Sequence, residues 1–323
     1  MLPLVGWPAE DRGRWGAAFK TGDRFDKSGL GAHLASTTRR ARQEAYGRYL
    51  AFISATHHDL LALPPEARID RNLVAEYAVW RRRVCGDIAI ANDLEPFRGA
   101  LKLICPDADW SWLLTIIKRI AATAPRKAQK YHQLTSDQLY LLGIDLMNRA
   151  VAEADAAERI RKVHAFQYRD GLVIALLALI PLRSRTLTAL RIGQHLVKTE
   201  NLWALDIPAA DTKTRRALDF PVSQEISARI DLYLEQFRDH IPGADKHNGL
   251  WPSNMSRPMC ANGIYLAVRK RTKKAFGFGV NLHRFRHAAA SFWSIQDPVN
   301  VRGAKDLLGH ASFGTTEKHY VMA

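Results

Sequence analysis

Leu202-Trp203-Ala204-Leu205-Asp206-Ile207, the polar turn Ala210-Asp211-Thr212-Lys213-Thr214-Arg215-Arg216, and Ala217-Leu218-Asp219-Phe220-Pro221-Val222 make the stretch in which this chain leaves the helical period. Apolar and polar residues alternate on both sides of the turn, the pattern of two strands that each bury one face. The expectation is a β-hairpin, with a third strand near 195–197. Working outward, the flanks are helical in period. Thr135 or Ser136 opens a helix running to about 156, and an apolar helix over about 159–181 is the candidate for a central buried element. A short helix follows Arg183. Downstream, helical patterns occupy about 223–240, 261–276, 283–296, 300–308 and 312–320.

Farther upstream, Tyr46, Leu50 and Ile53 recur at i, i+4 and i+7 behind Ser36 or Thr37, either of which can cap the start. A second helix is expected at about 70–84, with Asp70 as N-cap and Leu73, Val74, Tyr77 and Trp80 on one face. Two more follow at about 87–104 and 109–121, the latter carrying Trp110, Leu113, Ile117 and Ile120. Together they make a small helical domain over 36–124. Residues 125–133 are polar, basic and begin with Pro125, and read as a linker to a second domain over 134–323. Residues 1–35 are rich in Gly, Pro, Trp and charge without periodicity, and read as an arm that drapes over something else. The fold class is therefore mainly α with a small antiparallel hairpin or three-stranded sheet, in two domains.

The 323 residues are 47% apolar and 24% charged, a balance that supports a sizeable core and excludes a disordered, collagenous or coiled-coil chain. The longest apolar run, 172–182, falls well short of the roughly twenty residues a bilayer-spanning helix needs. The N-terminus lacks the basic-then-apolar pattern of a secretory signal, and Cys85, Cys105 and Cys260 stand far apart, against a disulfide scaffold or thiolate zinc site. A cytoplasmic, nucleoid-associated protein without membrane partners is expected. Charge supplies the first functional indication: 47 Lys and Arg against 32 Asp and Glu leave +15, with a pI near 9.9. Residues 1–130 hold +7 of this and 131–323 hold +8. Excess spread over both halves suits two domains that both touch one long polyanion, most simply double-stranded DNA.

Four separated segments carry the chemistry: Pro181-Leu182-Arg183 opening a helix, Lys213 at the hairpin tip, His283-Arg284-Phe285-Arg286-His287, and Leu307-Leu308-Gly309-His310 followed ten residues later by Tyr320. In this order they resemble the tyrosine recombinase, or phage integrase, family. The resemblance covers about 135–323, and the preceding helical domain matches that family's core-binding domain in place and size. It implies a two-domain DNA clamp that cleaves and rejoins DNA through a 3′-phosphotyrosyl link, working as a homo-tetramer on two DNA sites. It also implies no metal, ATP or other cofactor.

Each implied role is chemically sound. Arg183 and Arg286 offer permanently charged forks of N–H donors to the non-bridging phosphate oxygens. His283, one helical turn before Arg286, hydrogen-bonds the phosphate or assists the nucleophile, and His310, beside Gly309, adds another donor. Tyr320 is the implied nucleophile. Lys213 matches the family's hairpin lysine, which protonates the leaving 5′ oxygen, with Arg215 and Arg216 as neighbours that can be confused with it and that are expected to contact DNA. The run Arg269-Lys270-Arg271-Thr272-Lys273-Lys274 reads as phosphate-backbone contact or as a solvated face. His283 and His287 also have the i, i+4 spacing of a zinc pair, but Arg284 stands where a zinc hydrolase places its glutamate.

Three departures from the family pattern stand out. Thr186 occupies a position that is often acidic, the interval from His310 to Tyr320 is ten residues where nine is common, and three residues follow the tyrosine. Two other functions fit the same residues: a type IB topoisomerase, which rejoins the same strand, and a DNA-binding protein that has lost catalysis.

Overall fold

Trp7 and Trp15 decide the fate of the first residues of the chain. The structure is a computed structural model describing residues 1–125, 134–200, 202–212 and 215–296, with side chains of the last helix described as far as Ala289. It divides into two compact units, Met1–Lys130 and Tyr131–Ala323. In the first unit, helix α1 (Ala9–Ala18) follows Pro8 and buries Trp15 on one face, while Trp7 packs edge-on against Trp15 and Tyr46. Asp11 of α1 is fully buried, paired with Arg68 and accepting from the Tyr46 hydroxyl. The draping arm expected over 1–35 is thus corrected for its first half. Two indoles and a buried ion pair make it part of the helical core, because burying the indoles gains more than leaving them in water.

Helix α2 (Ser36–Thr56) supplies Tyr46, Tyr49, Leu50 and Ile53 to that core. Its N-cap is Ala35 and no side chain caps it, so the expected Ser36 or Thr37 cap is not made. At Gly47 of α2 the Leu2 carbonyl approaches so closely that a Cβ there would lie 2.4 Å from it, which ties the N-terminus to the helix. Helix α3 (Arg71–Arg82) begins as expected: the Asp70 carboxylate accepts from the amides of Asn72 and Leu73 at 2.7 and 2.9 Å. Helices α4 (Asp87–Ile104) and α5 (Ser111–Thr123) complete the unit. From residue 126 the expected linker lies outside the described residues.

The second unit opens with α6 (Ser136–Ala156), started by a reciprocal Thr135–Gln138 capping box. Helix α7 (Lys162–Leu179) is buried along nearly its whole length and forms the centre of the core. The two cross where Gly143 meets Gly171; a Cβ at Gly143 would stand 2.7 Å from the Gly171 carbonyl. Short α8 (Ser184–Ala189) leads to an antiparallel sheet in the order β1 (Leu196–Thr199), β2 (Leu202–Ile207), β3 (Leu218–Pro221). Leu205 faces Leu196 on one side and Phe220 on the other, and Trp203, Leu205 and Ile207 turn inward. Helix α9 (Gln224–Leu232), capped by Ser223, passes into a π-helical turn over Tyr233–Phe237 and a 3₁₀ turn, so the expected 223–240 helix is not uniformly α. Helix α10 (Ala261–Phe276) stops at Gly277, whose φ of 80° is the left-handed conformation glycine adopts freely. Helix α11 (Leu282–Gln296) ends the described chain, and the helices expected at 300–308 and 312–320 lie outside it. No described helix is long and apolar enough to cross a membrane.

Candidate functional site

The buried helix α7 sets the site's floor. It ends at Leu179, and the chain turns through buried Ile180, Pro181 and Leu182 into Arg183, which occupies the N-cap position of α8 and is half-buried. The Arg183 carbonyl accepts from Leu187 at 2.9 Å, fixing its main chain. Thr186, one turn into α8, is buried and supplies no carboxylate.

Helix α11 approaches the same segment. The Asn281 side chain accepts from the Arg284 amide at 3.0 Å, and Leu282, Phe285, Ala288 and Ala289 anchor the helix in the core. That anchoring leaves Arg286 only 6% exposed, with its Nη1 donating to the Pro181 carbonyl. The structure thereby brings the Arg286 side chain to the main chain two residues before Arg183. His283 is exposed, and its ring meets that of half-buried His287 edge to face, with centroids 4.9 Å apart at 88°. Among the described residues no third His, Cys, Asp or Glu joins them in a metal-binding group.

Lys213, His310 and Tyr320 lie outside the described residues. Both ends of the turn that carries Lys213 are described. The buried Thr212 hydroxyl accepts from the Arg216 amide at 3.0 Å and donates toward the Arg216 carbonyl at 2.8 Å. Arg215 and Arg216 are exposed, and Arg215 adopts a φ of 51°, uncommon for a residue with a Cβ. Asp211, just before Thr212, receives the Nε2 of His195 at 3.1 Å.

The basic run on α10 divides. Arg269, Lys270, Lys273 and Lys274 are exposed, as a phosphate-contacting face requires. Arg271 corrects the expectation, because it turns inward and donates to Asp170 at 2.9 Å and to Gln167 at 3.2 Å. Asp170, 5% exposed, also accepts from Arg169, which in turn donates to the Pro252 carbonyl at 2.7 Å. One buried carboxylate between two guanidiniums therefore ties α7, α10 and the 252 segment together. The available signal was the Arg169-Asp170 pair inside an otherwise apolar helix, since buried charges need partners.

The described tyrosines of this unit are committed elsewhere or packed. Tyr233 is fully buried and donates to the Leu250 carbonyl, with burial raising its phenol well above the usual range. Burial pushes Tyr168 up to about 12 while it donates to the Arg229 carbonyl. Partial burial and a 2.6 Å bond to Glu225 push Tyr140 up to about 12. Tyr265 is partly buried against the core.

A helical unit followed by a mainly helical unit with a three-stranded antiparallel sheet is the fold of tyrosine recombinases. XerH site-specific recombinase, solved bound to palindromic difH substrate in a post-cleavage complex and bound to difH substrate in a pre-cleavage complex, is similar at TM-scores of 0.58 and 0.56. Each match is 16% identical and covers 88% of this chain and 76% of that one. A structure of XerA recombinase is 18% identical over 91% of this chain and 90% of its own, at a TM-score of 0.43. No curated protein matches. The model of the phage integrase family matches residues 149–323, and the chain belongs to that family.

Proposed function

We propose that the chain is a site-specific recombinase that cleaves and rejoins double-stranded DNA through a 3′-phosphotyrosyl intermediate. The observation that carries this reading is the hydrogen bond from Arg286 to the Pro181 carbonyl, which joins the two segments bearing the arginines meant for one phosphate. In this mechanism the Tyr320 oxygen attacks phosphorus and its proton passes to His283. Arg183, Arg286 and His310 offset the charge gathering on the non-bridging oxygens. As the bond to the 5′ oxygen breaks, Lys213 gives that oxygen a proton. Rejoining runs these steps backward with the 5′-hydroxyl of another strand, and the energy of the broken ester is kept in the tyrosyl link. The engagement of Tyr140, Tyr168 and Tyr233 supports Tyr320 as the nucleophile, since a buried, raised phenol is a poor one.

The net charge of +15, the exposed cations of α10 and the difH substrate in the similar XerH structures support DNA as partner. Assembly as a homo-tetramer on two sites follows the family resemblance, as does a cytoplasmic, nucleoid-associated setting. The domain division, with 36–124 as core-binding domain and 134–323 as catalytic domain, belongs to the same reading. Mapping covalent protein–DNA adducts across DNA from the source genome tests it. Adducts at discrete positions and exchange between two such sites are expected. Adducts that only rejoin the same strand would indicate a topoisomerase, and DNA binding without adducts would indicate a silent relative.

A further inference from the structure

We infer, resting on the reading of Arg183 as one of the two arginines that hold the reacting phosphate, that Trp251 is its positioning residue. Arg183 stands at the N-cap of α8, and its carbonyl accepts from the Leu187 amide at 2.9 Å. Helix α8 has only six residues. A helix that short does not hold itself in water, so its place comes from what grips it.

The grip is an extended segment, 248–251, that runs beside the far end of α8. Trp251, 1% exposed, directs its indole N–H to the Leu187 carbonyl at 3.0 Å across 64 positions of sequence. The Leu190 amide reaches the same carbonyl at 3.5 Å, too long for a strong bond, so the indole is the better-placed donor. Leu187 therefore takes the indole on its carbonyl and gives its amide to Arg183, and one residue links Trp251 to the arginine. Beside this link, Leu250 donates to the Leu190 carbonyl and Ile192 to the Asn248 carbonyl, both at 2.9 Å, and Arg191 pairs with Gly249 in an antiparallel bridge.

The segment is itself braced from the core side. Tyr233 donates to the Leu250 carbonyl at 3.1 Å, buried Arg238 to the Gly249 carbonyl at 3.0 Å, and buried Arg169 to the Pro252 carbonyl at 2.7 Å. The indole thus sits on a main chain fixed by three buried side chains. Arg286 grips the Pro181 carbonyl just before Arg183, so the helix that follows is held at its entrance by one arginine of the pair and at its far end by Trp251. Misplacing a reacting or charge-holding group by about 1 Å can cost about a hundredfold in rate. The bond from Trp251 should accordingly matter to the chemical step and little to DNA affinity.

The test uses the full chain in single turnover at saturating DNA, on a duplex spanning a mapped adduct position in two forms: ordinary DNA, and DNA whose scissile phosphate carries a methyl group in place of one non-bridging oxygen. The methylphosphonate has one negative charge fewer and asks less of the guanidiniums. Trp251→Phe removes the N–H and keeps an aromatic ring. It should slow adduct formation on ordinary DNA by about tenfold, part of the 10²–10³ that one preorganised donor contributes, and come within about threefold of wild type on the methylphosphonate. Should Trp251→Phe fail to fold, Tyr233→Phe carries the same comparison: it frees the Leu250 carbonyl with the indole intact, and a smaller loss with the same recovery is expected. Equal slowing on both duplexes, or none on either, would overturn the positioning role and leave the reading of Arg183 standing. Arg183→Ala on the same duplexes tests that reading. Wild-type cleavage of ordinary DNA by Arg183→Ala, or a defect that the methylphosphonate does not relieve, would take Arg183 off the phosphate charge, and the role of Trp251 would fall with it. Hydrogen exchange at the Leu187 amide reads α8 without DNA. It should be about tenfold faster in Trp251→Phe while the amides of α7 keep wild-type protection, since local opening sets the rate. Unchanged exchange at Leu187 would mean that Trp251 does not hold α8.

Discussion

The guanidinium of Arg286 donates to the main-chain carbonyl of Pro181 across 105 positions of sequence. A side chain proposed to hold phosphate therefore also sets the entrance to Arg183, so the two arginines cannot move apart independently. Arg is suited to both tasks because its five donors form a rigid fork, whereas Lys offers one compact ammonium. Arg286→Lys is expected to lower adduct formation by about 10²–10³, the cost of losing one preorganised donor. Arg286→Ala should in addition destabilise the fold by about 1–3 kcal/mol, because the buried carbonyl is left unpaired. Adduct yields in denaturing gels and urea unfolding measure the two effects. An Arg286→Lys enzyme with wild-type cleavage would remove the guanidinium from the phosphate.

Tyr320→Phe should keep DNA affinity within about twofold while abolishing the adduct, since it removes one oxygen and no charge. Binding by gel shift beside a denaturing gel checks this. Should an adduct survive, the nucleophile to test next is Tyr265, because Tyr233 is fully buried with its hydroxyl on the Leu250 carbonyl.

The basic run on α10 predicts two distinct kinds of mutant. Lys270→Ala, Lys273→Ala and Lys274→Ala should each weaken binding alike on all sequences, lower the salt slope by about 1, and leave stability unchanged. Arg271→Ala should instead destabilise the fold by about 1–3 kcal/mol, because it strips one of two guanidinium partners from buried Asp170 while Arg169 stays paired with it. Salt titrations and denaturant curves on the same proteins separate these. An Arg271→Ala protein of normal stability with a reduced salt slope would return that side chain to the DNA face.

That division shows what the residues reveal and what they hide. The alternation around 202–222 and the periodic apolar faces of α2, α3 and α5 were legible because one face must be buried, and burial repeats with the period of the backbone. Asp70 was legible as a cap because its bonds are local. Arg271 was not, since its partner Asp170 lies 101 positions away and a Lys/Arg run looks uniform until the helix is docked. Trp7 and Trp15 were lost among Gly and Pro for the same reason: a short helix buried by tertiary contacts has too few turns to show a period. Of the candidate site, Arg183 and Arg286 were found through a motif, whereas the bonds of the Thr212 hydroxyl to the Arg216 main chain and of Arg286 to the Pro181 carbonyl depend on the folded path of the main chain, which no residue type announces.

The sheet is tied to α9 through Asp231, which accepts from Lys198 of β1 and from the Trp203 indole of β2 at 2.7 and 2.9 Å. Burial alone would raise this carboxyl, but the bonds from Lys198 and Trp203 outweigh it and hold the group below its ordinary value. A carboxyl depressed in the folded state contributes stability above its unfolded pKa, near 4, and loses it as pH falls through the lower folded value. Asp231→Asn should thus be less stable than wild type at pH 7, with the gap narrowing below about pH 4. A gap constant from pH 7 to pH 3 in denaturant melts would mean the ionised carboxylate is not what ties the helix to the sheet.

The charge distribution yields the last expectation. With +7 on residues 1–130 and +8 on 131–323, neither half is a neutral passenger, and in the clamp reading each neutralises its own set of phosphates. The slope of log affinity against log salt is close to 0.9 per phosphate contacted, so the full chain should show a slope near the sum of the slopes of its halves. Joining them makes the second contact intramolecular at an effective concentration of the order of millimolar, and the full chain should bind far more tightly than either half. Cutting a protease site placed within 126–133, after binding, should accelerate dissociation and leave each half with its own shallower slope. Residues 131–323 that bound DNA as tightly as the whole chain at the same salt would show that the first unit takes no part in holding DNA, and the clamp would have to be given up.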